Sequence, residues 1–249
     1  MKKHNLPWLA LAALFVAPFS GFATLVDLTG PGSSGTINGA LFFETDQQPA
    51  GTGFIDSFLR VQHNGTEQGY NTDGGFPFDD KTPHNFQHSV ELSSLSQFDI
   101  NGTAYFKFML DANQSGGQNG TFTLDGLQFY TSNNPAQTTE VINPDGTLNL
   151  GHLAYNLDAG GDNSVLTHST GSGRFDAFVY VPVSDFNLND RYLILYMKSN
   201  SGTGGFEEWS AAVPEPSSSL LLVIGAAGLG LDLLRRKISR RSASRTGSH

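Results

Sequence analysis

The segment Phe98-Asp99-Ile100-Asn101-Gly102-Thr103-Ala104-Tyr105-Phe106-Lys107-Phe108-Met109-Leu110 sets an Asn-Gly pair between two runs of alternating, strand-favouring residues. Asn and Gly both accept the positive φ of a type I′ turn, whose twist matches that of paired strands, so the segment reads as a β-hairpin. Asn38-Gly39, Asn64-Gly65 and Asn119-Gly120 repeat the device, and Asp145-Gly146 is a fifth candidate. Apolar and polar residues alternate again through residues 54–62, 87–92, 121–130, 147–155, 174–182 and 191–198, each expected as a strand, and no helical period of any length competes with them. Strands in this number without intervening helices pack as two antiparallel sheets. The expected fold is therefore all-β, an antiparallel, jelly-roll-like β-sandwich spanning residues 24–212. Residues 69–85 and 132–145 read as long loops, and no fixed-period repeat points to a propeller or β-helix.

Charge narrows the partners. Residues 24–213 carry six basic side chains (Arg60, Lys81, Lys107, Arg174, Arg191, Lys198) against twenty-one acidic ones, a net charge of −15. Such a surface repels phosphate backbones, which excludes nucleic acid, and attracts cations, basic surfaces or a neutral glycan. The chain has no cysteine, so neither disulfides nor a thiolate metal site contribute, and stability rests on the core.

Both ends carry addresses. Met1-Lys2-Lys3-His4 precedes an apolar run over residues 6–19, the length of a secretory h-region and too short for a membrane span. Gly21 and Ala23 then place small residues at the −3 and −1 positions of a signal-peptidase site, so residues 1–23 are expected to be removed after Ala23. At the other end Val213-Pro214-Glu215-Pro216 leads into an apolar segment at about residues 219–234, followed by Arg235-Arg236-Lys237 and further arginines to residue 245. A segment this short and glycine-rich makes a temporary anchor, and its basic flank, residues 235–249, favours the cytoplasmic side, which leaves the preceding domain outside.

Pro214, Glu215 and Pro216, the short apolar helix and the cluster Arg235, Arg236, Lys237 together resemble the PEP-CTERM sorting signal of Gram-negative bacteria, here covering residues 213–249. Asp232 interrupts the apolar stretch near its basic end, where it is expected to lie beside Arg235 and Arg236 at the interface. The resemblance implies recognition by an exosortase, transient inner-membrane anchoring, cleavage near the motif, and release to the cell surface or the extracellular (biofilm) matrix. The body also resembles a recurrent PEP-CTERM protein body of no settled role, through Phe43-Glu44-Thr45-Asp46-Gln47-Gln48-Pro49-Ala50-Gly51-Thr52-Gly53, Tyr155-Asn156-Leu157-Asp158-Ala159-Gly160-Gly161-Asp162-Asn163, Gly171-Ser172-Gly173-Arg174-Phe175-Asp176-Ala177-Phe178-Val179-Tyr180 and Gly205-Phe206-Glu207-Glu208-Trp209.

No nucleophile elbow, zinc-protease helix or phosphate loop is written in the chain. Glycoside hydrolysis needs carboxyls facing each other across a cleft, whereas adjacent strand residues point to opposite faces, so Asp79-Asp80 and Glu207-Glu208 read as solvated charge. Calcium is the sharper expectation. Asp158, Asp162 and Asn163 surround paired glycines, and Asp111 and Asn113 open a second loop that Asp125 closes across a hairpin, both supplying the oxygen ligands calcium takes. The ordinary role of Asp and Asn beside glycine is to make turns. His84 and His88 stand four apart, but Pro83 and the strand-like residues after Asn85 oppose the helix a zinc pair there would need. Flat apolar rings suit sugar C–H surfaces, and Tyr70, Phe76, Phe78, Tyr130 and Trp209 are the stacking candidates, while Phe106, Phe108, Phe122 and Phe129 are assigned to the core. The function expected is non-enzymatic: an exported surface or matrix protein that binds exopolysaccharide or matrix partners. The alternatives are a glycan-active enzyme and a structural filler with no specific ligand.

Overall fold

The structure, a computed structural model, describes residues 22–45, 56–80, 86–114, 120–169 and 171–213. The expected signal peptide up to residue 21 and the expected sorting residues Pro214, Glu215, Pro216, Arg235, Arg236 and Lys237 lie outside them, as does His84. In chain order the strands are β1 (Leu25–Asp27), β2 (Ser34–Ile37), β3 (Ala40–Glu44), β4 (Leu59–Val61), β5 (Asn64–Tyr70), β6 (Val90–Glu91), β7 (Gln97–Ile100), β8 (Thr103–Ala112), β9 (Gly120–Leu124), β10 (Gly126–Ser132), β11 (His152–Asn156), β12 (Ser164–Ser169), β13 (Ala177–Pro182), β14 (Tyr192–Thr203) and β15 (Glu207–Ala211). The described residues add two 3₁₀ turns, Leu92–Ser94 and Val183–Asp185, and contain no α-helix.

The protein is all-β, and its sheets are antiparallel apart from one pairing. A seven-stranded sheet runs β2-β3-β13-β8-β15-β4 with β7 also on β8, and a five-stranded sheet runs β11-β10-β14-β5 with β6 on β14. A third sheet, β1-β12-β9, contains the parallel pair β1 with β12. One face of each larger sheet meets the other in a common core. The Phe108 ring of β8 lies 4.4 Å from Phe129 of β10, Phe106 and Phe129 both pack on Phe186, and Trp209 of β15 donates its indole N–H to Met197 Sδ of β14 at 3.3 Å. Phe106, Phe108, Phe122 and Phe129 are at most 2% exposed, as alternation requires, each ring contributing about 1.5–3 kcal/mol by leaving water.

Turn chemistry holds at two of the Asn-Gly sites. Asn38 and Gly39 (φ 50° and 87°) join β2 to β3, and Asn101 and Gly102 (φ 54° and 82°) join β7 to β8. Asn64-Gly65 instead opens β5, where it pairs with Thr203 and Gly202 beyond a bulge in β14. The turn into β5 sits at Gln62 and His63, held by the His63 ring on Thr66 O at 2.9 Å. Residues 121–130 form two strands rather than one. Asp125 marks the break: its N–H donates to Lys198 O at 2.9 Å and its carboxylate accepts from Asn200 N at 2.7 Å, so β9 leaves for β12 while β10 joins β14.

The far face of the five-stranded sheet is covered by its own loops. Tyr70, Tyr130, Ile194 and Tyr196 pack there with Leu148, Leu150 and Phe78. Polar bonds hold the cover down: Tyr70 OH donates to Thr139 O at 2.9 Å, Thr72 Oγ1 to Gln137 O at 2.8 Å, and Leu148 N to Tyr130 OH at 2.8 Å.

Candidate functional site

The seven-stranded sheet is finished differently. Where Phe106, Phe108, Leu110, Val179 and Val181 turn inward, the alternate residues turn out, and these too are large and apolar. Register places Phe43, Phe178 and Met109 in one cross-strand row, Leu41, Tyr180 and Lys107 in the next, then Pro182, Tyr105 and Phe98. All nine are half-buried, so the face is apolar and still reached by solvent. Tyr180 holds it together, meeting Phe43 at 5.6 Å and Phe98 at 6.1 Å, both edge to face.

Lys107 sits in the middle of this face. Its ammonium lies 3.4 Å from the Phe178 ring centroid and 5.8 Å from that of Tyr180, and no carboxylate within ion-pair distance is found for it among the described residues. Partial burial holds its pKa below the usual lysine value. In a domain with so large an excess of acid, this lysine is held by rings rather than by a carboxylate. Toward β4 the face ends in a second stacked cation: the Arg60 guanidinium lies 3.5 Å from the Phe86 centroid and 4.9 Å from Phe206, while its Nε donates to Glu208 at 2.6 Å.

The acidic pairs read as solvated charge are corrected by burial. Glu207 and Glu208 are 0% and 7% exposed, and Asp80 is 4% exposed. The two glutamates do point to opposite faces, but both faces are occupied. Glu208 points out to Arg60 and to Ser57, whose hydroxyl donates at 3.0 Å. Glu207 points into the core, where it feels the carboxyl of Glu67 of β5 and receives the Gln114 side-chain amide. Burial raises both carboxyls above the usual glutamate range, Glu67 from across the core adding to the rise at Glu207. No sequence signal pairs Glu67 with Glu207, because the contact crosses between sheets. Asp80 is likewise raised by burial and receives the Gln87 amide.

Of the expected calcium ligands, Asp125 keeps company with Asp158 and not with Asp111. Asp111 of β8 is fully buried; its Oδ2 accepts Gly173 N at 2.7 Å, and burial, with Asp176 and Glu208 nearby, pushes its pKa up to about 7. Asn113 follows with its backbone N–H on Phe206 O at 3.1 Å. In the other loop Asp158 Oδ1 accepts Asn163 N at 2.9 Å, Asn163 Nδ2 donates to Leu157 O at 2.7 Å, and Asn163 Oδ1 accepts Thr24 N at 2.8 Å. Burial raises Asp158, and Asp162 and Asp125 add to the rise, with Lys198 opposing them. Among the described residues no three His, Asp or Glu side chains converge as metal ligands, and His88 sits with its ring on Ser89 O at 2.9 Å.

The stacking residues expected from sequence are mostly elsewhere. Tyr70, Tyr130 and Trp209 are 0%, 1% and 0% exposed, and Phe78 packs beneath the loops beside Tyr70 and Tyr196; Phe76 alone of the five is exposed, at 47%. The open rings, Phe43, Phe98, Phe178 and Tyr180, were hidden by the very regularity of their strands: apolar residues at both parities of β8 and β13 mark a sheet with two apolar faces, of which only one is core. A scan of known protein families and a search of curated proteins return no match to this chain.

Proposed function

We propose that this chain is an exported, non-enzymatic surface or matrix protein that binds exopolysaccharide through the outer face of its seven-stranded sheet. The observation that carries the reading is the half-exposed array of Phe43, Phe98, Phe178 and Tyr180 around Lys107. Rings of this kind offer flat apolar surface for the C–H faces of sugars, and the ammonium offers three donors for hydroxyl or carboxylate oxygens. The frame we infer is a jelly-roll-like sandwich of the two larger sheets, one outer face sealed by loops and the other kept for ligand. The address is double: a signal peptide removed by signal peptidase, and the PEP-CTERM tail, which passes the protein through transient inner-membrane anchoring to an exosortase.

A second reading, a glycan-active enzyme, draws on Asp111 and Glu208, cross-strand neighbours on the same outer face. At 0% and 7% exposure neither reaches a sugar, and Glu208 is held by Arg60 and Ser57, so binding is the better fit. The test is the full protein released from its host, passed over the host's own exopolysaccharide. Retention that falls with Phe178→Ala and Tyr180→Ala supports the reading. No retention, or new reducing ends, overturns it. Replacing Pro214, Glu215 and Pro216 by alanine tests the address: the variant is expected to stay in the inner membrane with its C-terminus intact.

A further inference from the structure

The Asp158–Asn163 loop has an occupant in the structure, and it is the backbone nitrogen of Thr24. Thr24 stands where the chain turns from exposed to anchored. Phe22 is 95% exposed and Ala23 is exposed, whereas Val26 and Leu28 are 7% and 0% exposed in the core. From Thr24 on, the chain is tied to the strand that follows the loop: Ser164 N donates to Thr24 O at 2.9 Å, Leu25 to Asp27 run parallel to Ser164 to Leu166, and Leu28 N donates to Leu166 O at 2.7 Å. Thr24 N itself donates to Asn163 Oδ1 at 2.8 Å, and the same Asn163 donates its backbone N–H to Asp158 Oδ1 at 2.9 Å. The Asn163 side chain is 4% exposed and bonded on both sides, so its oxygen is fixed toward Thr24.

We infer that the Ala23–Thr24 bond is the processing site and that the loop formed by Asp158 and Asn163 is a receptor for the α-ammonium this cleavage creates. Hydrolysis adds one water across the amide: Ala23 leaves with the carboxylate, and the new Thr24 amine takes a proton at neutral pH. What had been a neutral N–H donor to Asn163 becomes a cation at the same place. The small residues Gly21 and Ala23 satisfy the peptidase, and the exposure of Phe22 and Ala23 gives it access to the bond. Of the residues before that bond, the described ones, Phe22 and Ala23, are exposed and outside the core.

Charge makes the fit specific. Burial, first, and then the charges of Asp162 and Asp125 weigh against the ionised form of Asp158 in this loop, with Lys198 as the opposing cation. Burial disfavours the charged form of Asp158, and an ammonium on the Asn163 that Asp158 holds would favour it. The ammonium thus fills the place for which calcium was expected, and cleavage turns the neutral Thr24 N–H that already ties the residue before β1 to Asn163 into a charged donor. An N-terminus tied down in this way also resists fraying.

The inference rests on the export reading, and its test separates the two. The full chain is expressed with its own leader in a Gram-negative host, the exported protein is isolated, and its first residue is read by intact mass and N-terminal sequencing. The α-amine is then acylated at pH 7 with an N-hydroxysuccinimide ester. The expected result is Thr24 as first residue, with an amine that reacts about tenfold more slowly than in Asn163→Ala, the difference that one unit in amine pKa makes. Asp158→Asn keeps an oxygen for Asn163 N and removes only the charge; it is expected to speed acylation severalfold with an unchanged circular dichroism spectrum. Thr24 as first residue with equal rates in all three proteins overturns the capture and leaves export standing. A different first residue overturns the inference, and retention of Met1 on an unexported chain overturns the export reading as well.

Discussion

Glu67 and Glu207, both fully buried, act on each other across the core, one from each of the two larger sheets, and each keeps one carboxylate oxygen without a hydrogen-bond partner. Burial and mutual repulsion both disfavour two ionised carboxylates out of water, so the pair keeps a proton. Each group is raised in the folded protein above its value in the unfolded chain. The stability it contributes is therefore complete in the acid range, below the ordinary glutamate pKa, and is lost as pH rises toward the raised value. The melting midpoint is expected to fall by several degrees, roughly 5 °C, between pH 5 and pH 9. Glu207→Gln supplies a permanent N–H to Glu67 and should flatten that decline. Thermal unfolding of both proteins across the range checks it, and parallel curves would show that no proton is held there.

Asp190 gives the opposite sign. Its carboxylate accepts Thr131 Oγ1 at 2.7 Å, Asn133 Nδ2 at 2.9 Å, Asn187 Nδ2 at 3.1 Å and the His152 ring at 2.7 Å. Burial opposes ionisation, but these bonds, with those from Thr131 and His152 foremost, leave its pKa below the usual aspartate value. A depressed carboxylate contributes stability that is present above its unfolded pKa and lost as pH falls through the folded one. Asp190→Ala strands buried donors and is expected to cost about 2 kcal/mol at pH 7. The difference from wild type should shrink below about pH 3, which denaturant unfolding at pH 7 and pH 3 measures.

How far the sequence reaches is visible along β9 and β10. Alternation continues unbroken through Leu124, Asp125 and Gly126, so pattern alone writes one strand; the change of sheet is made by hydrogen bonds of Asp125 to Lys198 and Asn200, more than seventy positions away. The core rings of β8 were legible because inward residues repeat every second position. The outward rings obey the same period, and only the tertiary packing says which face loops cover. Glu207 and Glu208 show the limit for charge: the alternation puts them on opposite faces, but their partners Glu67 and Arg60 come from other strands. The parallel pairing of β1 with β12 has no turn signal at all, since it joins segments far apart in the chain.

Phe108 and Phe178 test the division of the seven-stranded sheet into two faces. They sit on paired strands, Phe108 0% exposed inside and Phe178 half-buried outside. Phe108→Ala leaves a cavity against Phe129 and is expected to cost about 3–5 kcal/mol, lowering the midpoint by roughly 10 °C. Phe178→Ala already has solvent on one side and should cost about 1 kcal/mol or less. Equal losses in a thermal melt would mean that the outer face is as sealed as the core.

On that outer face the rings and the cation are expected to separate in their effects on binding. Removing one stacking ring, Phe178→Ala or Tyr180→Ala, takes away about 1 kcal/mol of contact, a roughly fivefold weaker Kd for neutral and acidic polysaccharides alike. Lys107→Met keeps the apolar stem and its packing on Phe178 while deleting the charge, so binding to a neutral glycan should change little. Binding to a uronate-bearing glycan should weaken, and the loss should be largest at low salt, where the ammonium acts with least screening against the negative surface around it. Isothermal titration with both glycans at about 20 mM and 500 mM salt decides the matter. A Lys107→Met protein that loses both ligands equally would make Lys107 a spacer between the rings, and one that keeps both at every salt concentration would remove it from the site.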